Sequence, residues 1–183
     1  MAAPAADNRA AAALLVPLAV GAVVSVVLGV YGNLHTPTGV AVNVAGFSSP
    51  QSVKAWLATV VVVLAVVQLL SALAMYGKLG RTVPAWIAPV HRWSGRLAFL
   101  VSIPVALHCL YALGFQSFDT RVLLHSLLGC FFYGAFVAKM LLLRKDGAPG
   151  WSLPLAGGLV FTALVGLWLS ASLWFFTQFG LIF

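Results

Sequence analysis

Three histidines stand at two equal intervals of seventeen residues: His91, His108 and His125. Imidazole changes charge near neutral pH and is the commonest nitrogen ligand for a metal. So regular a set is either a group of ligands or a group of internal hydrogen-bonding side chains. Little else in the chain can do chemistry. The acids are Asp7, Asp119 and Asp146, each in a different tail or loop. Paired carboxylates for acid–base work, and a carboxylate relay for protons, therefore have no material. Cys109 and Cys130 fall in no metal-ligand spacing and imply no disulfide framework. Inside apolar runs a free cysteine acts as a small apolar side chain. There is no glycine-rich phosphate loop and no GxSxG.

The elements that must position these histidines are membrane helices. Of 183 residues, 62% are hydrophobic and 7% charged, and the apolar runs are long enough to cross about 30 Å of hydrocarbon. The reading is an all-α, five-transmembrane-helix bundle, one integral membrane domain over 1–183. Its spans are 11–31, 52–76, 89–114, 120–143 and 152–176, behind a flexible tail at 1–10. The first run is too long for a signal-peptide core and is read as retained. Pro17 within it removes one backbone bond that neighbouring helices can cover. The segment "GNLHTPTGVAVNVAGFSSPQ", which holds His35, is rich in turn residues and reads as a loop.

The formal charge of +7 is spread singly over helix ends, with no basic stripe and no stacking platform, so nucleic acid is not the partner. The charge instead orients the chain. With a cytoplasmic N-terminus, Arg9, Lys78, Arg81, Arg92, Arg96, Lys139, Arg144 and Lys145 lie inside, and only Lys54 and Arg121 lie outside. Trp86, Trp93 and Trp151 at one interface and Trp174, Phe175 and Phe176 at the other read as aromatic belts. The lipid bilayer is thus the first partner, and the expected location is the cell membrane, crossed several times.

On these spans His108 lies about seven residues before the third ends and His125 about five after the fourth begins. At 1.5 Å per residue both are roughly 8 to 11 Å inside the outer leaflet. The connector "QSFD" is so short that the two helices must be antiparallel neighbours. Two neutral imidazoles on facing helices can hold a b-type haem by its two axial positions. Gly129, one turn from His125, would leave room for a porphyrin edge, and Leu128, Phe132 and Phe136 continue an apolar lining. Arg121, one turn the other way, could pair with a propionate. On the third span Val101, Pro104 and Tyr111 share the His108 face by α-helical spacing; Tyr111 either bonds a propionate or anchors the interface. The competing account is that each histidine bonds a carbonyl or side chain within the protein.

His91 is about 25 Å along the axis from His108 and cannot share its haem. Met140 is the only soft ligand near its depth. With Arg92, Ser94 and Arg96, His91 reads as a cluster at the inner surface for lipid phosphates or a quinone headgroup.

The segments "HRWSGR", "HCLYALGFQSFDTRVLLHSLLGC" and "FYGAFVAKM", with "YGNLHTPTG" and "MYGKLG", resemble a family of small, uncharacterised bacterial five-helix membrane proteins. That family is distantly similar to b-type cytochromes and ferric-reductase-like membrane domains. Such cytochromes carry two histidine pairs for two haems; here only His108 and His125 qualify, so the resemblance implies one. The expected function is single-electron transfer through a bis-histidine haem near the outer face, to or from a redox partner protein or quinone. This would make the chain an electron-transfer component rather than a stand-alone catalyst. The alternative is a haem-free accessory or scaffold subunit of a larger respiratory or transport complex.

Overall fold

The computed structural model describes residues 3–41, 43–80 and 82–183. Met1, Ala2 and Arg81, parts of the tail and orientation expectations, lie outside them. The described residues are all-α: α1 (Ala3–Leu34), α2 (Pro50–Met75), α3 (Ile87–Leu107), α4 (Thr120–Leu142), α5 (Ser152–Trp168) and α6 (Trp174–Phe179). Helix α1 is continuous from Ala3, eight residues before the first expected span, and passes through Pro17. Five stretches are long and apolar enough to cross a membrane: Ala12–Leu34, Pro50–Met75, Ile87–Leu113, Thr120–Leu142 and Ser152–Phe179. Their lipid-facing surfaces remain apolar because no water is present to be avoided there.

The ends of the helices follow local chemistry. Ser49, in extended backbone, caps α2 by accepting the Ser52 N–H at 3.2 Å, and Pro50 follows at the first helical position. Asp119 caps α4, its Oδ1 accepting the Val122 N–H at 2.7 Å. Two spans depart from plain α-helix. A π-helical turn, His108–Leu113, continues α3, and a second, Leu169–Leu173, joins α5 to α6. Pro104, one turn before His108, has no N–H for the Leu100 carbonyl, so the α ladder is already interrupted where the first π turn begins. The α-helical spacing that put Tyr111 on the His108 face therefore does not hold: π-helical residues are turned by less than the α-helical 100 degrees each.

The chain divides into two compact units. The first gathers Met1–Thr36 and Gly114–Leu167, and its frame is the antiparallel packing of α1 on α4. A Cβ added to Gly21 would lie 2.6 Å from the Gly134 oxygen and 2.9 Å from Ala138 Cβ. One added to Gly134 would run into Ser25 Oγ and the Gly21 carbonyl. Missing side chains at these two positions let the backbones touch, the usual device where lipid offers no hydrophobic drive between helices. Near the C-terminal end of α1 the Phe115 N–H donates to the Gly32 carbonyl at 2.7 Å. Ser126 fastens the connector by donating to Gln116 O at 2.9 Å and accepting from Gln116 N at 3.2 Å.

The second unit gathers Pro37–Leu113 and Trp168–Phe183, built on the antiparallel pair α2 and α3. Trp168 Nε1 donates to Thr59 Oγ1 at 2.9 Å, fixing the second π turn to α2. Near the α2 N-terminus Trp56 stacks on Phe183, with centroids 4.6 Å apart, and donates to the Ile182 carbonyl at 3.0 Å. The loop before α2 reaches the other π turn. Thr38 N–H and hydroxyl both donate to Tyr111 O at 3.3 Å, and Gly39, at φ +66°, points its N–H at Ala112 O at 3.1 Å. These are carbonyls a helix end leaves without partners.

Candidate functional site

His108 is the first residue of the π turn that ends the third span. Its Nε2 is buried and has no hydrogen-bond partner among the described residues. A buried polar atom without a partner costs about 1 to 3 kcal/mol, and native proteins hold few of them. Nε2 is also the nitrogen that a neutral imidazole offers to a metal. The π turn is an independent mark on the same residue, since such turns are rare and recur at functional positions. Tyr111, in the same turn, is 49% exposed.

His125 belongs to the other unit. It is half-buried on α4 and already engaged in an interaction of its own. It lies five residues after Thr120, where its span begins, just as His108 lies five before Leu113, where its span ends. Arg121, His125 and Gly129 follow at intervals of four on one α4 face. Phe132 is buried on that side at 5% exposure. The Arg121 guanidinium stands 3.7 Å from Asp119 Oδ2, so the propionate-binding candidate has a carboxylate beside it. Both groups are substantially exposed, and the pair contributes little. At Gly129 an added Cβ would meet only Leu167 Cδ2, at 3.8 Å. Packing in this unit does not require a glycine there, in contrast to Gly134.

The opposite α4 face turns to α1. Between the two helices lies an apolar groove of about 480 Å³, lined by Val26, Val30, Phe115, Leu127 and Phe131 with the Cys130 thiol. It is on the side of α4 away from His125 and serves a different surface. Both cysteines are free thiols.

The inner-surface cluster proposed around His91 divides in two. His91 and Ser94 turn to α2, whereas Arg92 and Arg96 are exposed, with Arg96 5.1 Å above the Trp93 ring. On the α2 side, Gln68 Nε2 donates to the His91 carbonyl and to Ser94 Oγ, the latter at 2.9 Å. The Ser71 hydroxyl oxygen lies 2.6 Å from Val67 O and 2.9 Å from His91 Nδ1, a hydrogen bond whose direction follows the tautomer of the imidazole. Gly95 makes the space: a Cβ there would sit 3.0 Å from the Gln68 amide. Gln68 is an amide in the middle of an apolar span, and its partners are on the neighbouring helix. The signal available was the antiparallel register, in which 68 with 94 and 71 with 91 each sum to 162.

The chain belongs to a family of unknown function (DUF6529), whose model matches residues 14–183. No curated protein and no solved structure matches it. The family likeness expected from the sequence therefore stands in its coarse form. The comparisons add nothing on the wider likeness to b-type cytochromes or on a bacterial source.

Proposed function

We propose that this member of the family is a membrane electron-transfer protein that holds one b-type haem through His108 and His125. The observation that carries the reading is the buried, partnerless Nε2 of His108 at the start of a π turn. In the Nδ1–H tautomer a neutral imidazole would offer at that atom a lone pair with no partner. The second axial nitrogen would come from His125, at the same number of residues from its own span end. Support for pairing the two is the short connector and that matched depth. Gly129 fits a macrocycle edge, because no neighbour fills the place of its missing side chain closer than 3.8 Å. Bound there, the haem would supply a one-electron couple, and two axial imidazoles leave no open iron position for a substrate. The protein's own part is to fix both rings, exclude water with apolar side chains and set the local charge.

The orientation that goes with this reading has the N-terminus and the loops of Lys78 and Lys145 in the cytoplasm. Eight of ten basic residues then lie inside, which puts the haem near the outer face.

A second reading, a haem-free accessory subunit, draws on Gly157 and Gly158, where an added Cβ meets nothing within 4 Å. That is a smooth face another helix can approach. Absorbance of protein purified from haem-replete cells separates the two. On the haem reading a sharp reduced-minus-oxidised spectrum is present, His108→Ala and His125→Ala each abolish it, and His91→Ala keeps it. Absence of a Soret band in the wild type would leave the accessory reading. Loss of the band on changing His91 alone would overturn the choice of ligands.

A further inference from the structure

With His91 and Ser94 committed to α2, Arg92 and Arg96 stand on the opposite face of α3, exposed and one turn apart. Two like charges at this spacing repel each other. Among the described residues no carboxylate is within ion-pair distance of either; the ion pair seen is Arg121 with Asp119. The sequence holds three acids against ten lysines and arginines, so counter-ions within the chain are scarce.

Depth sharpens the contrast. The span Ile87–Leu113 has 27 residues, whereas about 20 cross the hydrocarbon. Centred on the bilayer, it leaves roughly 5 Å of helix in the headgroup layer at each end. Arg92 then stands close to the hydrocarbon boundary, and Arg96 one turn inside it, where a cation is costly. Helical side chains lean toward the N-terminus, which here is the membrane surface. The Arg96 guanidinium is found where that lean takes it, 5.1 Å over the ring of Trp93, three residues back. Stacked on an exposed indole, its planar fork is held at the depth of its neighbour Arg92. Farther into the membrane the face continues in Leu97 and Leu100, both exposed.

We propose that the Arg92–Trp93–Arg96 face of α3 binds the phosphate of an anionic membrane phospholipid. The two guanidiniums clamp the phosphodiester, and an acyl chain lies along Trp93, Leu97 and Leu100. A guanidinium matches phosphate oxygens bidentately, and an anion between two arginines removes their repulsion. A quinone headgroup, weighed for this cluster from the sequence, is neutral and gives neither arginine a counter-charge. The site lies on one helix and is independent of haem binding.

The test is native mass spectrometry of the purified full-length protein in neutral detergent, with equal amounts of phosphatidylglycerol and phosphatidylcholine of identical acyl chains. Wild type should retain phosphatidylglycerol with roughly twentyfold preference, as two cations at an anionic lipid would give. Arg92→Gln and Arg96→Gln should each cut that preference about fivefold. Lys78→Gln, which removes one cation beyond the end of α2 and outside the site, should leave it unchanged, with all variants eluting as the wild type does in size-exclusion chromatography. An equal loss in Lys78→Gln means attraction to diffuse surface charge and overturns the proposal. A preference intact in both arginine variants overturns it as well. No preference in the wild type also refutes it, and leaves a carboxylate of a partner membrane protein as the counter-ion.

Discussion

Two glycines five residues apart on α4 should respond oppositely to the same methyl group. At Gly134 an added Cβ collides with the Gly21 carbonyl and with Ser25, and reciprocally a Cβ at Gly21 lies 2.6 Å from the Gly134 oxygen. The obstruction is backbone, so α1 and α4 must separate. Overpacking of this kind costs about 1 to 3 kcal/mol, and with backbone on both sides the upper end applies. Alanine recovers about 1 kcal/mol of helix propensity. Gly134→Ala should therefore lose roughly 2 kcal/mol net, from the difference of those two terms. At Gly129 the added Cβ meets only Leu167 Cδ2 at 3.8 Å, ordinary contact. Gly129→Ala should fold with wild-type stability or gain up to about 1 kcal/mol. Unfolding both variants and the wild type in mixed micelles with increasing sodium dodecyl sulfate, followed by far-UV circular dichroism, gives the two differences directly. The haem spectrum adds a second measurement. If Gly129 lines a macrocycle edge, a larger side chain there, as in Gly129→Leu, removes the Soret band from protein that is still folded. Equal stability of Gly134→Ala and wild type would refute the helix contact, and an undisturbed Soret band in Gly129→Leu would remove Gly129 from the site.

Arg121→Leu removes a positive charge near the proposed haem and should lower its midpoint potential while haem remains bound; because Asp119 stands 3.7 Å away, Asp119→Asn should raise it. A redox titration in which neither variant moves would place the pair outside the site. Gln68→Leu removes both amide bonds to α3 and should destabilise the second unit by about 0.6 to 1.7 kcal/mol, the range for hydrogen bonds between membrane helices. A double-mutant cycle with Ser94→Ala that gives no coupling would refute the clamp. For orientation, a cysteine at Ala45 should react with an impermeant thiol reagent on intact cells and one at Asp146 should not; the reverse pattern would invert the topology.

Much of the architecture was legible in the sequence because lipid imposes a simple rule. Backbone groups must be satisfied within each span, so long apolar runs become helices, and the five stretches now defined fall close to those read from composition. The starts of α2 and α4 are set by equally local chemistry, although composition alone did not mark them: Ser49 before Pro50 and Asp119 before Thr120 cap their helices through side-chain oxygens a few atoms away.

What the sequence did not disclose depends on how helices meet. The π turn at His108 changes the angular position of every residue after it, and nothing in "HCLYAL" distinguishes five residues per hydrogen-bonded turn from four. The partners of His91 are on another helix, twenty positions away in Ser71, so the inner-surface cluster divided once α2 was in place. Gly21 and Gly134 resembled any small residues in a span until the two backbones were brought together. Composition fixes which segments enter the membrane, because burial in lipid depends on each segment alone. Which side chains face one another depends on rotation and register between segments, and those are settled by packing.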